Sequence, residues 1–107
     1  TIDEFNEGKI IKVASKTLDT IFSENIKVDG IKIDVENFEY YTLTGGKSLL
    51  KRDRPIIYIE LWDNENRQRC FELFKELEYS IYVVIDKSLQ PYDPSQHRTQ
   101  NFIVLPN

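Results

Sequence analysis

Cysteine occurs once in the 107-residue sequence, as Cys70. A single thiol excludes an internal disulfide and a cysteine-rich metal site, and makes a reducing, cytoplasmic setting the expectation. Methionine is absent even from the first position, so a chain opening on Thr1 is expected to be a cleaved product or an excised piece. No apolar run approaches the roughly 20 residues that span a bilayer, and no signal-peptide pattern opens the chain, which argues against a membrane partner. Glycine is scarce, limited to Gly8, Gly30, Gly45 and Gly46. None of these follows a buried strand and opens a helix, as the turn that cradles a nucleotide must. An excess of one charge is lacking too. The formal net charge is −4 with acids and bases interleaved, which leaves no footprint for nucleic acid or an anionic surface.

What is present is enough for a core. Apolar residues make up 40% of the chain, with six Phe, six Tyr and one Trp, a composition that disordered chains do not share. The length suits one small domain and leaves no room for a second.

The apolar run Ile10–Ala14 reads as a strand, after which Thr17 is placed to cap a brief helix over Leu18–Phe22. Ile31–Val35 is a β-branched strand. From Phe38 the period changes: Phe38, Tyr41, Gly45 and Leu49 recur every three or four residues, with Asn37 available as N-cap, which describes an amphipathic helix that Gly45-Gly46 bends or interrupts. Lys51, Arg52 and Arg54 form the densest basic group, at the place where cations favour a helix C-terminus. Arg54-Pro55 stops the helix.

Ile56–Leu61, with the sequence IIYIEL, is nearly continuous in apolar residues, the pattern of a strand covered on both faces. Asn64 or Asn66 is placed to cap a second helix running to about Glu78, with Cys70, Leu73, Phe74 and Leu77 as its buried stripe. Ile81–Ile85 reads as another buried strand, Leu89–Thr99 as a long loop, and Asn101–Leu105 as the last strand. This order implies an α/β fold, half of a doubly wound sheet that is mostly parallel, with a last strand returning antiparallel.

Chemistry is to be sought where the strands end. Asp34, Glu36 and Glu39 lie at or just past the end of one strand, and Glu60 lies near the end of the next. Four carboxylates on one rim suit a divalent cation, or a base acting on a hydroxyl. The other reading of Asp34 and Glu36 is that they favour a helix N-terminus electrostatically. Glu60 weighs against it, because an acid inside IIYIEL needs a partner or a purpose. His97 is the sole histidine. It stands in the long loop, either solvated or within reach of the rim as a base. Trp62 follows the central strand and suits either stacking on a sugar or packing against Tyr58 or the following helix.

The stretch IKIDVENFEYYTLTGGKSLLKRDRPIIYIEL resembles the signature of FkbM-type methyltransferases: IKID-V-E-G-x-E, then L-x-G, then a proline-opened strand ending in Glu. Thr17-Leu18-Asp19 before it and Asn101-Phe102 with Pro106 after it fit the same pattern, so the likeness spans nearly the whole chain. Asn37 departs from it, standing where the family usually has glycine. The resemblance implies a class I, Rossmann-like methyltransferase sheet, S-adenosylmethionine as methyl donor, and O-methylation of a hydroxyl on a sugar or another small metabolite. It also implies that this chain is the C-terminal half of the catalytic domain, without the glycine-rich turn that holds the cofactor. Binding of S-adenosylmethionine by this chain alone is then expected to be weak or nil. On this alignment Asp34 leads the catalytic candidates, followed by Glu36, Glu39 and Glu60, with Trp62 and His97 on the substrate side.

Two classes of function stay open: a methyltransferase represented by its C-terminal portion, or a binding or structural module that has lost the chemistry. In the family's sheet order Ile31–Val35 lies beside a strand of the absent half. An open edge there predicts a homo-oligomer joined at Ile31–Val35 or at Ile10–Ala14.

Overall fold

The computed structural model describes residues 2–4, 10–13 and 27–107, with side chains described over 27–107. Its elements are β1 (Ile2–Glu4), β2 (Ile10–Val13), β3 (Gly30–Ile33), α1 (Glu39–Thr44), α2 (Lys47–Asp53), β4 (Ile56–Glu60), α3 (Glu65–Glu76), β5 (Tyr79–Ile85), β6 (Ser88–Pro91) and β7 (Asn101–Pro106). The helix expected over Leu18–Phe22 and its Thr17 cap lie outside the described residues.

The strands form one open sheet in the order β1-β2-β3-β4-β7-β5-β6. The fold is therefore mixed α/β. The balance of directions differs from the mostly parallel expectation. Only the β2–β3 and β3–β4 ladders are parallel, and the four others among the described residues are antiparallel. The last strand does return antiparallel, inserted between β4 and β5. Two short antiparallel strands at the margins, β1 and β6, supply the rest of the difference.

Neither edge of β3 is open. Ile31 pairs with Ile11 on one side and with Ile57 on the other, and β1 covers the outer edge of β2. The chain itself thus covers the edges on which self-association was expected, and that reason for a homo-oligomer falls away.

Alternation along the strands sends one set of side chains into the core. Ile31 is level with Ile57, and Ile57 with Val104; Ile33 is level with Ile59, and Ile59 with Phe102. All six are buried in one cluster with Leu43, Leu49, Leu50, Cys70, Leu73 and Phe74 of the helical layer. Fully burying a side chain of this size contributes roughly 1.5–3 kcal/mol, so this face dominates stability. The other face is different. Ile56, Tyr58 and Val84 are 51%, 41% and 57% exposed, so the second face of β4 is not sealed as the first is, contrary to the reading of IIYIEL. Strand β5 likewise buries only Tyr79 and Val83 fully.

The diglycine separates two helices, as its sequence suggests. Helix α1 ends at Thr44, and Gly46 is the N-cap of α2. The buried side of α1 is carried by Glu39 and Leu43, whereas Phe38 and Tyr41 are each 63% exposed. Phe38, not Asn37, occupies the N-cap, with no side-chain cap. Lys51 and Arg52 sit in the last turn of α2, where the helix dipole favours them. Arg54 works elsewhere: its backbone is left-handed at φ 52°, and its guanidinium donates to the carbonyls of Leu77 and Glu78 at 2.7 and 2.8 Å, closing the end of α3. Helix α3 matches its sequence signals, with Asn64 as the cap and Arg67, Cys70, Leu73 and Phe74 buried.

Candidate functional site

The turn from β3 into α1 carries the chain from the end of a strand into the helical layer. Glu36 and Asn37 are consecutive left-handed residues at φ 43° and 75°, a region that asparagine tolerates better than most residues with a β-carbon. The position where the signature has glycine therefore keeps the glycine-like backbone. Asn37 also gains a use for its side chain: its Oδ1 accepts from Asn64 Nδ2 at 2.8 Å.

That contact belongs to a clamp between the two strand-end turns. Glu39, only 3% exposed, accepts from Asn66 Nδ2 at 2.9 Å and from its own turn's Asn37 N–H at 3.2 Å. Asn66 Oδ1 accepts from Tyr40 N–H at 3.4 Å, and Asn64 Oδ1 caps α3 through Arg67 N–H at 3.2 Å. The β3–α1 and β4–α3 turns are thereby locked together by side chains. Buried carboxylates and amides are tolerated because their partners are supplied.

The four candidate carboxylates do not gather into one cluster. Asp34 and Glu36 are exposed, Glu39 is turned into the clamp, and Glu60 is half-buried. Register brings two of them level: Asp34 follows Ile33, the partner of Ile59, and Glu60 follows Ile59. Across from Glu60 on β7 stands Asn101. Among the described residues no three His, Cys, Asp or Glu side chains are grouped so as to hold a metal ion. Trp62 is 44% exposed just past β4, neither sealed into the core nor isolated from the strand ends.

Beyond the end of β4, where β7 begins, lies a cleft of about 470 Å³, within the size range of small-molecule sites. Arg67 and Gln68 of α3 line it on one side, and Tyr92, His97, Arg98 and Thr99 on the other. The long loop that supplies the second wall is ordered by its own contacts. Asp93 accepts from Ser95 Oγ and Ser95 N–H at 2.7 and 2.9 Å; these hydrogen bonds, the hydroxyl's first, hold its carboxyl below the usual range. His97 Nδ1 accepts from Asp93 N–H at 2.9 Å, which leaves the proton of the neutral ring on Nε2. His97 thus presents an N–H donor at Nε2, with Nδ1 already engaged. Its ring stacks on Tyr92, with centroids 6.1 Å apart.

Arg67 is the residue lining the cleft that the sequence did not single out. It is 5% exposed, donates to Leu61 O through Nε and Nη2 at 3.3 and 2.7 Å, and reaches Thr99 O at 3.2 Å. Its guanidinium lies 5.1 Å from the Phe102 ring centroid. The signal was there, since Arg67 falls three and seven positions before Cys70 and Phe74, on the buried stripe.

The family model described as the methyltransferase FkbM domain matches residues 1–91, most of the chain. The chain belongs to the FkbM methyltransferase domain family. Comparisons with curated proteins and with solved structures gave no match. Membership supports a methyltransferase-like enzyme, and FkbM-type chemistry generally implies S-adenosylmethionine. The β3–α1 turn does not offer that cofactor the bare glycine backbone of a nucleotide-binding turn. The left-handed pair Glu36 and Asn37 carries side chains where close approach to a ligand needs none, and Asn64 already occupies the side of Asn37. No described helix is long and apolar enough to cross a membrane.

Proposed function

We propose that this chain is the acceptor-side, C-terminal portion of an FkbM-type, S-adenosylmethionine-dependent O-methyltransferase acting on a hydroxyl of a sugar or another small metabolite. The supporting observation is the clamp that fixes two strand-end turns against each other, Asn37 to Asn64 and Glu39 to Asn66, while Asp34 is left exposed at their edge. Ligands of open α/β sheets sit beyond the carboxyl ends of such strands.

In this reading Asp34 accepts a hydrogen bond from the acceptor hydroxyl and takes its proton as the oxygen gains its methyl group. Glu60, one strand away at the same level, and Asn101 beyond it keep the rim polar. Trp62 offers a flat apolar surface for a sugar face, and His97 donates a hydrogen bond from the loop. Glu36 sets the backbone of the turn. Glu39 serves the clamp. The cradle for the methyl donor is supplied by sequence outside this chain. Much of the acceleration in such a site comes from alignment of the acceptor oxygen, with effective molarities that reach about 10⁵ M or more.

The test is product analysis. The protein that carries this domain is incubated with isotopically labelled S-adenosylmethionine and a panel of hydroxylated sugars and lipid-like metabolites, and products are read by mass spectrometry. Label in an ether methyl supports the reading. Label found only on nitrogen or carbon, or none on any acceptor when the protein is folded, overturns it.

A further inference from the structure

The cleft between α3 and the loop before β7 has a chemistry of which the methyl-transfer reading uses His97 alone. Its floor is Arg67, a guanidinium 5% exposed whose Nε and Nη2 are committed to the carbonyls of Leu61 and Thr99. The remaining nitrogen, Nη1, is left to Asp63, whose Oδ1 is 3.5 Å away on a side chain that is 84% exposed. Carbonyl dipoles stabilise a buried cation only in part, and an exposed carboxylate at that distance is weakened by solvent. The Phe102 ring lies against the guanidinium, and at Nη1 its charged partner among the described residues is a solvent-exposed carboxylate.

Two further donors face the same cleft. Arg98, exposed on the opposite wall, makes a long 3.5 Å contact to Pro94 O. His97 carries its ring proton on Nε2, because Nδ1 accepts from Asp93 N–H. A buried guanidinium, an exposed guanidinium and an imidazole N–H line about 470 Å³ in which Asp63 is the one acidic residue among the described lining, the Asp93 carboxyl beside His97 being engaged by Ser95. Charged hydrogen bonds from arginine to phosphate or carboxylate are the strong class.

The geometry points to an anion-binding subsite here, which takes a phosphate or carboxylate group of the small molecule bound by the domain. That this molecule is the methyl acceptor rests on the proposed methyl transfer; the anion site itself does not. The acceptor is then a hydroxylated metabolite with an anionic group, held at Arg67 and Arg98 while its hydroxyl is presented along the same end of the sheet. Asp63 acts as the resident competitor that the anion displaces from Nη1.

The experiment is an NMR titration of the folded chain with inorganic phosphate, and separately with acetate, at fixed ionic strength. Saturable shifts of the Arg67 Nε–H, the His97 ring and the Thr99 amide, with dissociation constants of about 1 mM or tighter, are expected. Tighter binding of phosphate identifies a phosphate ester as the natural group, and tighter binding of acetate a carboxylate. Arg98→Gln, on an exposed loop, is expected to weaken binding about tenfold. Asp63→Asn is expected to tighten it several-fold by removing the competitor, and Lys51→Gln at the far end of the sheet to leave it unchanged. Absence of saturable shifts with either anion overturns the proposal, as does equal weakening by Arg98→Gln and Lys51→Gln, which marks diffuse surface charge. Because binding is read without turnover, a positive result with no O-methyl product would leave the subsite standing and remove the methyl-transfer reading alone.

Discussion

Glu39 and Asn66, 27 residues apart in the chain, meet at 2.9 Å between Oε1 and Nδ2. This hydrogen bond joins the turn after β3 to the first turn of α3 behind the exposed Asp34. Glu39, one of the candidates ranked after Asp34, is therefore a carboxylate that holds the two turns together.

Replacing Glu39 by Ala removes both hydrogen bonds of its carboxylate and leaves the Asn66 amide without its partner. A loss of about 1–3 kcal/mol is expected, the cost of an unsatisfied polar group. Glu39→Gln, which keeps an acceptor for Asn66, is expected to lose less. Chemical denaturation of the two variants measures this, and equal destabilisation by both would show that the hydrogen bond to Asn66 is not what Glu39 contributes.

Cys70 is buried, and burial, with the Glu39 charge adding to it, pushes its thiol up to about 12. It is expected to resist thiol reagents in the folded protein and to react fully once unfolded. Tyr79, whose hydroxyl donates to Pro55 O at 2.8 Å, is pushed up to about 12 by burial, against the opposing charge of Arg54. The ordinary values are 9.0 and 10.0, so both groups have raised folded values. Their stabilisation is complete below about pH 9 and is lost as pH rises towards 12, where the unfolded chain releases protons that the folded one retains. Denaturation midpoints followed across the alkaline range check this. In Cys70→Ala the decline should be shallower.

Much of this architecture can be read in the sequence because the signals are local. Asn64 caps α3, the diglycine divides α1 from α2, and the β-branched runs mark β2, β3, β5 and β7. The failures come from information that is not local. IIYIEL reads as buried on both faces because Ile56 and Tyr58 are apolar, yet their side of the sheet is not sealed as the other is. Phe38 and Tyr41 outrank Glu39 in hydrophobicity, but Glu39 is the residue turned inward, since Asn66 and the Asn37 N–H await it. Strand β6 went unread because its hairpin turn is Asp86-Lys87, both left-handed at φ 49° and 65° without a glycine to announce it, and because Pro91 suits only an edge strand. At the candidate site, the placing of Asp34 and Glu60 at neighbouring strand ends was legible. The clamp and Arg67 depend on residues more than 25 positions apart, or on a charge hidden in an apolar stripe, and neither leaves a pattern in one sequence.

The chain is expected to bind S-adenosylmethionine weakly or not at all, because the backbone amides and ribose carboxylate on which dinucleotide-type sites depend have no counterpart in the turns at Asp34–Phe38 and Leu61–Asn64. Isothermal titration calorimetry tests this directly. A dissociation constant of about 1 μM would place a cofactor cradle within this chain.

The central claim is that the exposed Asp34, and not the buried Glu39, serves the reaction. It is tested most directly by Asp34→Asn in the protein that carries this domain, with kcat and unfolding free energy measured on the same preparation. The account predicts a fall in kcat of at least about tenfold with stability unchanged to within about 1 kcal/mol. Unchanged turnover per folded molecule, accompanied by a clear loss of stability, would contradict it and reassign Asp34 to the electrostatics of the α1 N-terminus.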